Sequence, residues 1–191
     1  MEVLQPGHYW KTPFVWEPGC PQPHPEAALV FEPTPEHWLL DAVASVMADS
    51  LDESDRLAVG RLGPARAAVE LLALASREFE APHGWWRLAR DDKGHAVGFV
   101  LPVLFADEST RRQGHPEGTI FYMGVLPEFR GRGHCLELLA EATRVFIDAR
   151  CWRIFCDTAT TNHPMVNAFR RAGYSERAPW QRSVTFGRSA A

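Results

Sequence analysis

The stretch Val125-Leu126-Pro127-Glu128-Phe129-Arg130-Gly131-Arg132-Gly133-His134-Cys135 decides the fold. Before it, 119–125 (TIFYMGV) is apolar on both faces, the pattern of a strand in the middle of a sheet. After it, Cys135, Leu138, Leu139, Ala142, Val145, Phe146 and Ala149 recur at helical spacing, which predicts a helix over about 134–150. Pro127 and two glycines force a turn between the two. Glycine permits backbone conformations that aim successive amide N–H groups into one concavity. The helix start adds unpaired N–H groups and the positive end of its dipole, and Arg130 and Arg132 add charge. These parts suit a pyrophosphate cradle, and equally a β-to-α turn that binds nothing. A dinucleotide fold is disfavoured, because no third glycine follows and no βαβ unit precedes; a P-loop is excluded by the missing Gly-Lys-Ser/Thr.

On either side the periodicity fills in one α/β (α+β mixed) domain. ALVFEP at 28–33 reads as a short buried strand. A helix follows from about Pro35, capped by Thr34, with Leu39, Ala42, Val43, Val46 and Met47 on its inner face. The acidic run 49–55 reads as a break, and the Ala- and Leu-rich 64–79 as a second helix. Strands at 85–90 and 95–103 flank Asp91-Asp92-Lys93-Gly94, a strong hairpin signal, and 107–118 reads as an exposed loop. A strand at 153–158 leads to a short helix at 164–172, with Met165, Ala168, Phe169 and Ala172 inward and Gly173 ending it. A last strand is expected at 183–186. The order β-α-α-β-β-β-α-β-α-β implies one principal sheet.

With 191 residues, 46% hydrophobic and 23% charged, the chain is one ordinary globular domain. Twenty Lys and Arg against 24 Asp and Glu give a net charge of −4, which argues against nucleic acid or anionic lipid as partner. The start MEVLQPGHYW lacks the basic and apolar parts of a secretory signal, and the apolar stretch 69–75, broken by Glu70, is too short to span a bilayer. Cys20, Cys135, Cys151 and Cys156 form no C-x-x-C pair and show no metal spacing with the eight histidines. A reduced, cytoplasmic protein without metal is expected, with assembly as a homodimer left open. Eight of the 15 prolines fall in the first 35 residues, with Trp10 and Trp16 among them. Residues 1–26 therefore read as an extended, irregular arm, and 27–191 as the domain. Trp10, Phe14 and Trp16 are expected to be buried across that domain or a partner chain.

The glycine turn resembles the acyl-CoA signature of the GCN5-related N-acetyltransferase (GNAT) superfamily, Arg/Gln-x-x-Gly-x-Gly/Ala after a strand ending in Val-x-Pro. Arg130 and Gly133 match, and Cys135 stands where Gly or Ala is usual. Downstream, 162–174 resembles the family's N-x-x-A-x-x-x-Y-x-x-x-G-F segment. Asn162 and Gly173 align, Tyr174 takes the terminal aromatic position, Met165 replaces Ala and Phe169 replaces Tyr. The resemblance covers about 28–186. It implies a central, mostly antiparallel sheet with two splayed parallel strands and helices on both faces.

It also implies acyl transfer from acetyl-CoA, or another acyl-CoA, to the amine of a small molecule or amino acid, by direct attack through a tetrahedral intermediate. The backbone of Met123, Gly124 and Val125 would hold the pantetheine, the amides of Arg130, Gly131, Arg132, Gly133, His134 and Cys135 the pyrophosphate, and Asn162 and Phe169 would line the cofactor. Phe169 stands where the family's tyrosine acid is usual and Phe121 where many relatives carry a carboxylate, so neither supplies the proton chemistry. Asp157 and Tyr122 are the candidate catalytic groups, with His134 and His163 close to the motifs. Phe121 and Phe169 also keep open a protein that binds acyl-CoA without transferring it. A substrate region near Trp38, Trp85, Trp86, Trp152 and Trp180 would favour an apolar or aromatic amine over a polycationic one.

Overall fold

The protein is described here by a computed structural model covering residues 8–23 and 28–183. Within the proline-rich start, expected to be an irregular arm, His8–Trp16 (HYWKTPFVW) forms strand β1, inside the sheet. Its aromatic and β-branched residues fit a pleated, buried surface. Pro13 is tolerated because of what lies beside it. On that side the partner changes: β9 (Trp180–Ser183) pairs with 8–11 and β8 (Ser175–Glu176) with 14–15. The missing N–H of Pro13 falls at the break, while its carbonyl accepts from the Arg177 N–H. The expected burial of Phe14 and Trp16 holds, since both sit in the core. The expected boundary at 26 does not, since β1 belongs to the same sheet as everything after it.

Among the described residues, nine strands form one sheet in the order β2-β4-β5-β6-β7-β1-β8, with β3 on β5 and β9 on β1. The strands not yet located are β2 (Val30–Pro33), β3 (Phe79–Glu80), β4 (Arg87–Arg90), β5 (Ala96–Phe105), β6 (Glu117–Val125) and β7 (Arg153–Ala159). Every strand pair is antiparallel except β6 with β7. β2, read as buried, is an edge strand with Val30 64% exposed. The last strand lies at Trp180–Ser183; most of the expected 183–186 falls outside the described residues.

Helices α1 (Glu36–Ala48), α2 (Glu53–Leu62) and α3 (Pro64–Glu78) contribute to one face, where Leu39, Val43, Val46 and Met47 meet Phe99 and Leu101. Helices α4 (His134–Asp148) and α5 (His163–Arg171) cover the other, where Leu138, Leu139 and Phe146 meet Val97, Val100, Ile154 and Phe14. The acidic run read as a break is in fact the cap and first turn of α2. Asp52 caps it by accepting from the Ser54 N–H, and Glu53 and Asp55 suit the positive helix end. Periodicity missed this helix because Asp55 is its one fully buried residue. Thr34 does not cap α1; Pro35 occupies that position and makes no side-chain cap.

Candidate active site

β6 and β7 start side by side and then part. They pair only at Glu117↔Arg153 and Gly118↔Ile154, and 119–125 and 155–159 run on with no further pairing between them. Past that pairing the Ile120 N–H donates to the Cys156 Sγ at 3.4 Å, a bulky thiol where a ladder would offer a carbonyl. The free side of β7 is satisfied by β1, through six registered pairs from Lys11↔Ala159 to Trp16↔Ile154. A wedge-shaped gap thus opens toward the carboxyl ends of β6 and β7.

A bulge distorts β6 at the gap. Leu101 faces Tyr122 and Pro102 faces Ile120, so Phe121 has no opposite residue. Pro102 has no N–H to give the ladder, which explains why the register slips here. Phe121 packs its ring on Phe79 at 5.3 Å. Beyond the bulge the Leu126 N–H reaches back to Val97 O on β5, so the main-chain groups of Gly124 point the same way. Those of Met123 and Val125 turn to the gap, where Val125 O already accepts from Arg130 Nε at 3.1 Å. Gly124 serves packing instead. A Cβ there would collide with the Val46 side chain, so glycine lets α1 lie close on β6.

At the carboxyl end of β6 the glycine turn has the expected geometry. Gly131 and Gly133 have φ of +77° and +87°, and Gly133 forms the left-handed N-cap of α4. Among the described residues, the N–H groups of 131–135 meet no backbone acceptor. They form a cluster of donors at a helix start, the arrangement an anion needs. The arginines do not join it. Arg130 clamps the end of α1 through Asp49 Oδ2 at 2.6 Å and Asp49 O at 2.8 Å. Arg132 donates to Glu128 O at 3.2 Å and lies over the Phe129 ring. His134 Nδ1 lies 3.1 Å from Glu137 Oε1. Cys135 faces Met165, and burial pushes its thiol up to about 11, so it fills space and is no nucleophile.

Asn162 caps α5 by accepting from the Met165 N–H at 3.4 Å. Phe169 does not line the gap. Its ring is 3% exposed and stacked on Phe14 at 4.8 Å, because β1 covers that face of α5.

The strongest chemistry is one that sequence reading missed. Asp55, on the first turn of α2, accepts from Tyr122 Oη at 2.7 Å and Ser50 Oγ at 2.6 Å. Burial pushes its carboxyl up to about 6, against the two hydrogen bonds that favour the charged form. The Tyr122 phenol is held well above its ordinary value by burial and by Asp55. Three residues earlier, Asp52 accepts from the Ala159 N–H at 2.7 Å, Thr158 Oγ1 at 3.1 Å and Lys11 Nζ at 3.1 Å. Burial works against both charges of the Lys11–Asp52 pair. Their attraction prevails only with help, from the Ser54 and Ala159 hydrogen bonds to Asp52 and the Asp157 charge beside Lys11, which together hold the carboxyl below and the ammonium above its usual value. Asp157 is the outer member, 3.5 Å from Lys11 Nζ and 3.8 Å from Arg182. The start of α2 thus bridges the open gap, with Asp55 tied to β6 and Asp52 tied to β7 and β1.

Of the two candidate catalytic residues, Tyr122 is in direct contact with this acid, whereas Asp157 is committed to the ion pairs beside it. A hollow of about 700 Å³, lined by Trp16, Arg112, Arg150 and Trp152 among others, lies at the closed end of β6 and β7. Among the described residues no group of three His, Cys, Asp or Glu side chains could hold a metal ion. No helix among them is long and apolar enough to cross a membrane.

A parted pair of parallel strands, an amide cluster after the first and an acid across the opening define a class: mixed α/β domains with a cleft between splayed parallel strands. The chain belongs to the Acetyltransferase (GNAT) family, whose sequence pattern matches residues 47–174. It is 30% identical over 99 residues to a mycothiol acetyltransferase of Propionibacterium freudenreichii, a match covering 46% of this chain and 27% of that protein. The chain therefore spans about a quarter of that relative's length. Among solved structures it resembles a GCN5-related N-acetyltransferase from Sphaerobacter thermophilus, with TM-score 0.52, 17% identity and 94% and 53% of the two chains covered. A GNAT-family acetyltransferase from Colwellia psychrerythraea gives 0.56, with 15% identity and 90% and 53% covered. An aminoglycoside N-acetyltransferase in complex with CoA gives 0.52, with 18% identity and 87% and 99% covered. At these identities the solved structures speak for the fold, a mixed α/β sheet with helices on both faces.

Proposed function

We propose that the protein transfers an acetyl group from acetyl-CoA to the primary amine of a small molecule, with Asp55 as the general base. The observation that carries this reading is the gap between β6 and β7, with donors at one end and a proton-accepting acid across its opening. The residues fit the co-substrate: the unpaired amides of 131–135 suit a pyrophosphate, and the outward main chain of Met123 suits an amide-bearing arm. Asn162 and the arginines of the turn act as supports of these elements. Bound acetyl-CoA would supply a thioester, an activated acetyl whose thiolate leaves with a pKa of about 8.5.

The protein's own part is proton transfer and placement. An alkylammonium with a pKa of about 10.4 must lose a proton before it attacks. With its carboxyl near 6, Asp55 is ionised at neutral pH and takes that proton. Tyr122 and Ser50 hold the carboxylate in place, and Tyr122 relays the proton when the amine reaches the phenol first. Lys11 and Asp52 fix the start of α2 against β7, so the base sits at a set height over the gap.

A second reading, acyl-CoA binding without transfer, is favoured by Phe169, which is sealed in the core and has no proton to give. Calorimetric titration with CoA and acetyl-CoA, followed by thiol release over a panel of amines, separates the two. Amine-dependent thiol release supports transfer; tight binding with no release under any amine supports the second reading. No binding at millimolar CoA refutes both.

A further inference from the structure

We propose that the acceptor is an amine carrying a flat, uncharged apolar body, which lies on a shelf made by Trp180 and Phe155. This rests on the reading of the β6–β7 gap as the place of transfer. The shelf follows from strand register. Residues directly opposite in a ladder point to the same face. Across β7, β1 and β9, Asp157 is opposite Pro13, Ala159 is opposite Lys11, Lys11 is opposite Trp180, and Tyr9 is opposite Arg182. All share the face that carries Lys11 toward Asp52 and the start of α2. Phe155, two residues before Asp157 on β7, points the same way.

The two rings meet over the strand between them. Phe155 and Trp180 approach edge-on at 5.6 Å between centroids, and Trp180 remains 39% exposed. Helices α1, α2 and α3 pack on the β4–β6 side, leaving these rings beside the gap instead of beneath a helix. A large aromatic that stays open to solvent next to a site is a natural seat for a flat ligand.

The charges nearby set the second half of the proposal. Lys11 is paired with Asp52 and Asp157, and Arg182 is paired with Asp157 and lies 5.1 Å over the Trp180 ring. Two cations and two carboxylates balance. An anionic body would have to break these pairs, and a polycation would meet Lys11 and Arg182. Neighbouring strands lie about 4.8 Å apart, so β9 is roughly 10 Å from β7. A shelf spanning Phe155 on β7 and Trp180 on β9 is of the size that seats an aryl body.

The test pairs binding with transfer. 2-Phenylethylamine and tryptamine are compared with butylamine, spermidine and glutamate, by calorimetry in saturating CoA and by thiol release from acetyl-CoA. The aryl amines are expected to exceed butylamine by about tenfold in affinity and in kcat/KM. Trp180→Ala should lower aryl-amine kcat/KM, through KM, by about tenfold more than it lowers butylamine kcat/KM, and Trp180→Phe should restore most of that difference. Trp180-dependent aryl binding without thiol release upholds the shelf and refutes transfer. Transfer without aryl preference, a preference for spermidine or glutamate, or no aryl binding at all overturns the shelf.

Discussion

Asp55→Asn separates the energetic and the catalytic consequences of the buried acid. The variant keeps side-chain size and an oxygen for Tyr122 and Ser50, but it removes the charge that burial opposes. The ordinary carboxyl value of 3.8 is raised to about 6 in the folded protein. The folded state therefore binds this proton more tightly than the unfolded chain does. As pH rises from below 3.8 through 6, the unfolded chain releases the proton first, and the wild type loses stability. Above both values the loss levels off at about 3 kcal/mol. Asparagine never ionises, so the variant is spared that loss. The weaker hydrogen bonds of an amide shift its stability by the same amount at every pH, and only the slope carries the titration.

The stability of Asp55→Asn relative to wild type should therefore improve by about 1.4 kcal/mol between about pH 5 and about pH 8. Urea unfolding of both proteins at those two pH values and one between measures it. In the same preparations acetyl transfer should fall by about 10²–10⁴-fold, and the acid limb of the wild-type kcat/KM profile should disappear. A relative stability that is flat or falls with pH refutes the buried-charge account. Retained activity with an unchanged pH profile refutes the assignment of the base.

Gly133→Val forces a branched side chain into φ of +87° at the donor cluster; CoA affinity should fall at least about tenfold, since αL strain for a branched residue displaces the amides, and calorimetry reads it. Phe14→Ala removes a fully buried ring from β1 and should cost about 3–5 kcal/mol in chemical unfolding; a loss below about 1 kcal/mol would show that β1 is only loosely attached. Phe169→Tyr restores the family's usual residue, but its hydroxyl would enter a packed core against Phe14 and Tyr174. It should cost about 1–3 kcal/mol and leave turnover unraised, and a rise in kcat would show that position 169 reaches the gap after all.

What the sequence made legible was local. Two glycines before an amphipathic helix announced the donor cluster, and the doubly apolar 119–125 announced the central strand. Two further signals lie in the sequence without an obvious rhythm to expose them. Pro102 within a strongly apolar strand marks the bulge at Phe121, because a missing N–H must fall at a break in a ladder. The run Ser50-Leu51-Asp52-Glu53-Ser54-Asp55 has the composition of a capped helix start, although it lacks the apolar rhythm that identifies a helix. Asp55 itself was out of reach. Its chemistry comes from being folded against Tyr122, 67 positions away, where water is excluded. The role of Phe169 was hidden for the same reason, since its cover is Phe14 from the far end of the chain.

The placement of β1 shows why such long-range contacts decide the site. Two strands that part must each keep their outer edge paired, because unpaired backbone groups inside a fold are costly. β6 does so through β5, and where it faces the gap it keeps main-chain groups free for a ligand. β7 has no such neighbour from residues 28–174; it pairs with β6 at two positions and with β1 at six. A domain beginning at residue 27 would leave 155–159 without a partner on either side. The proline-rich start thus secures the outer edge of β7, and through Lys11 it also anchors the helix that carries the acid. Strand and base are one device: the segment that pairs the outer edge of β7 also fixes what stands across the opening.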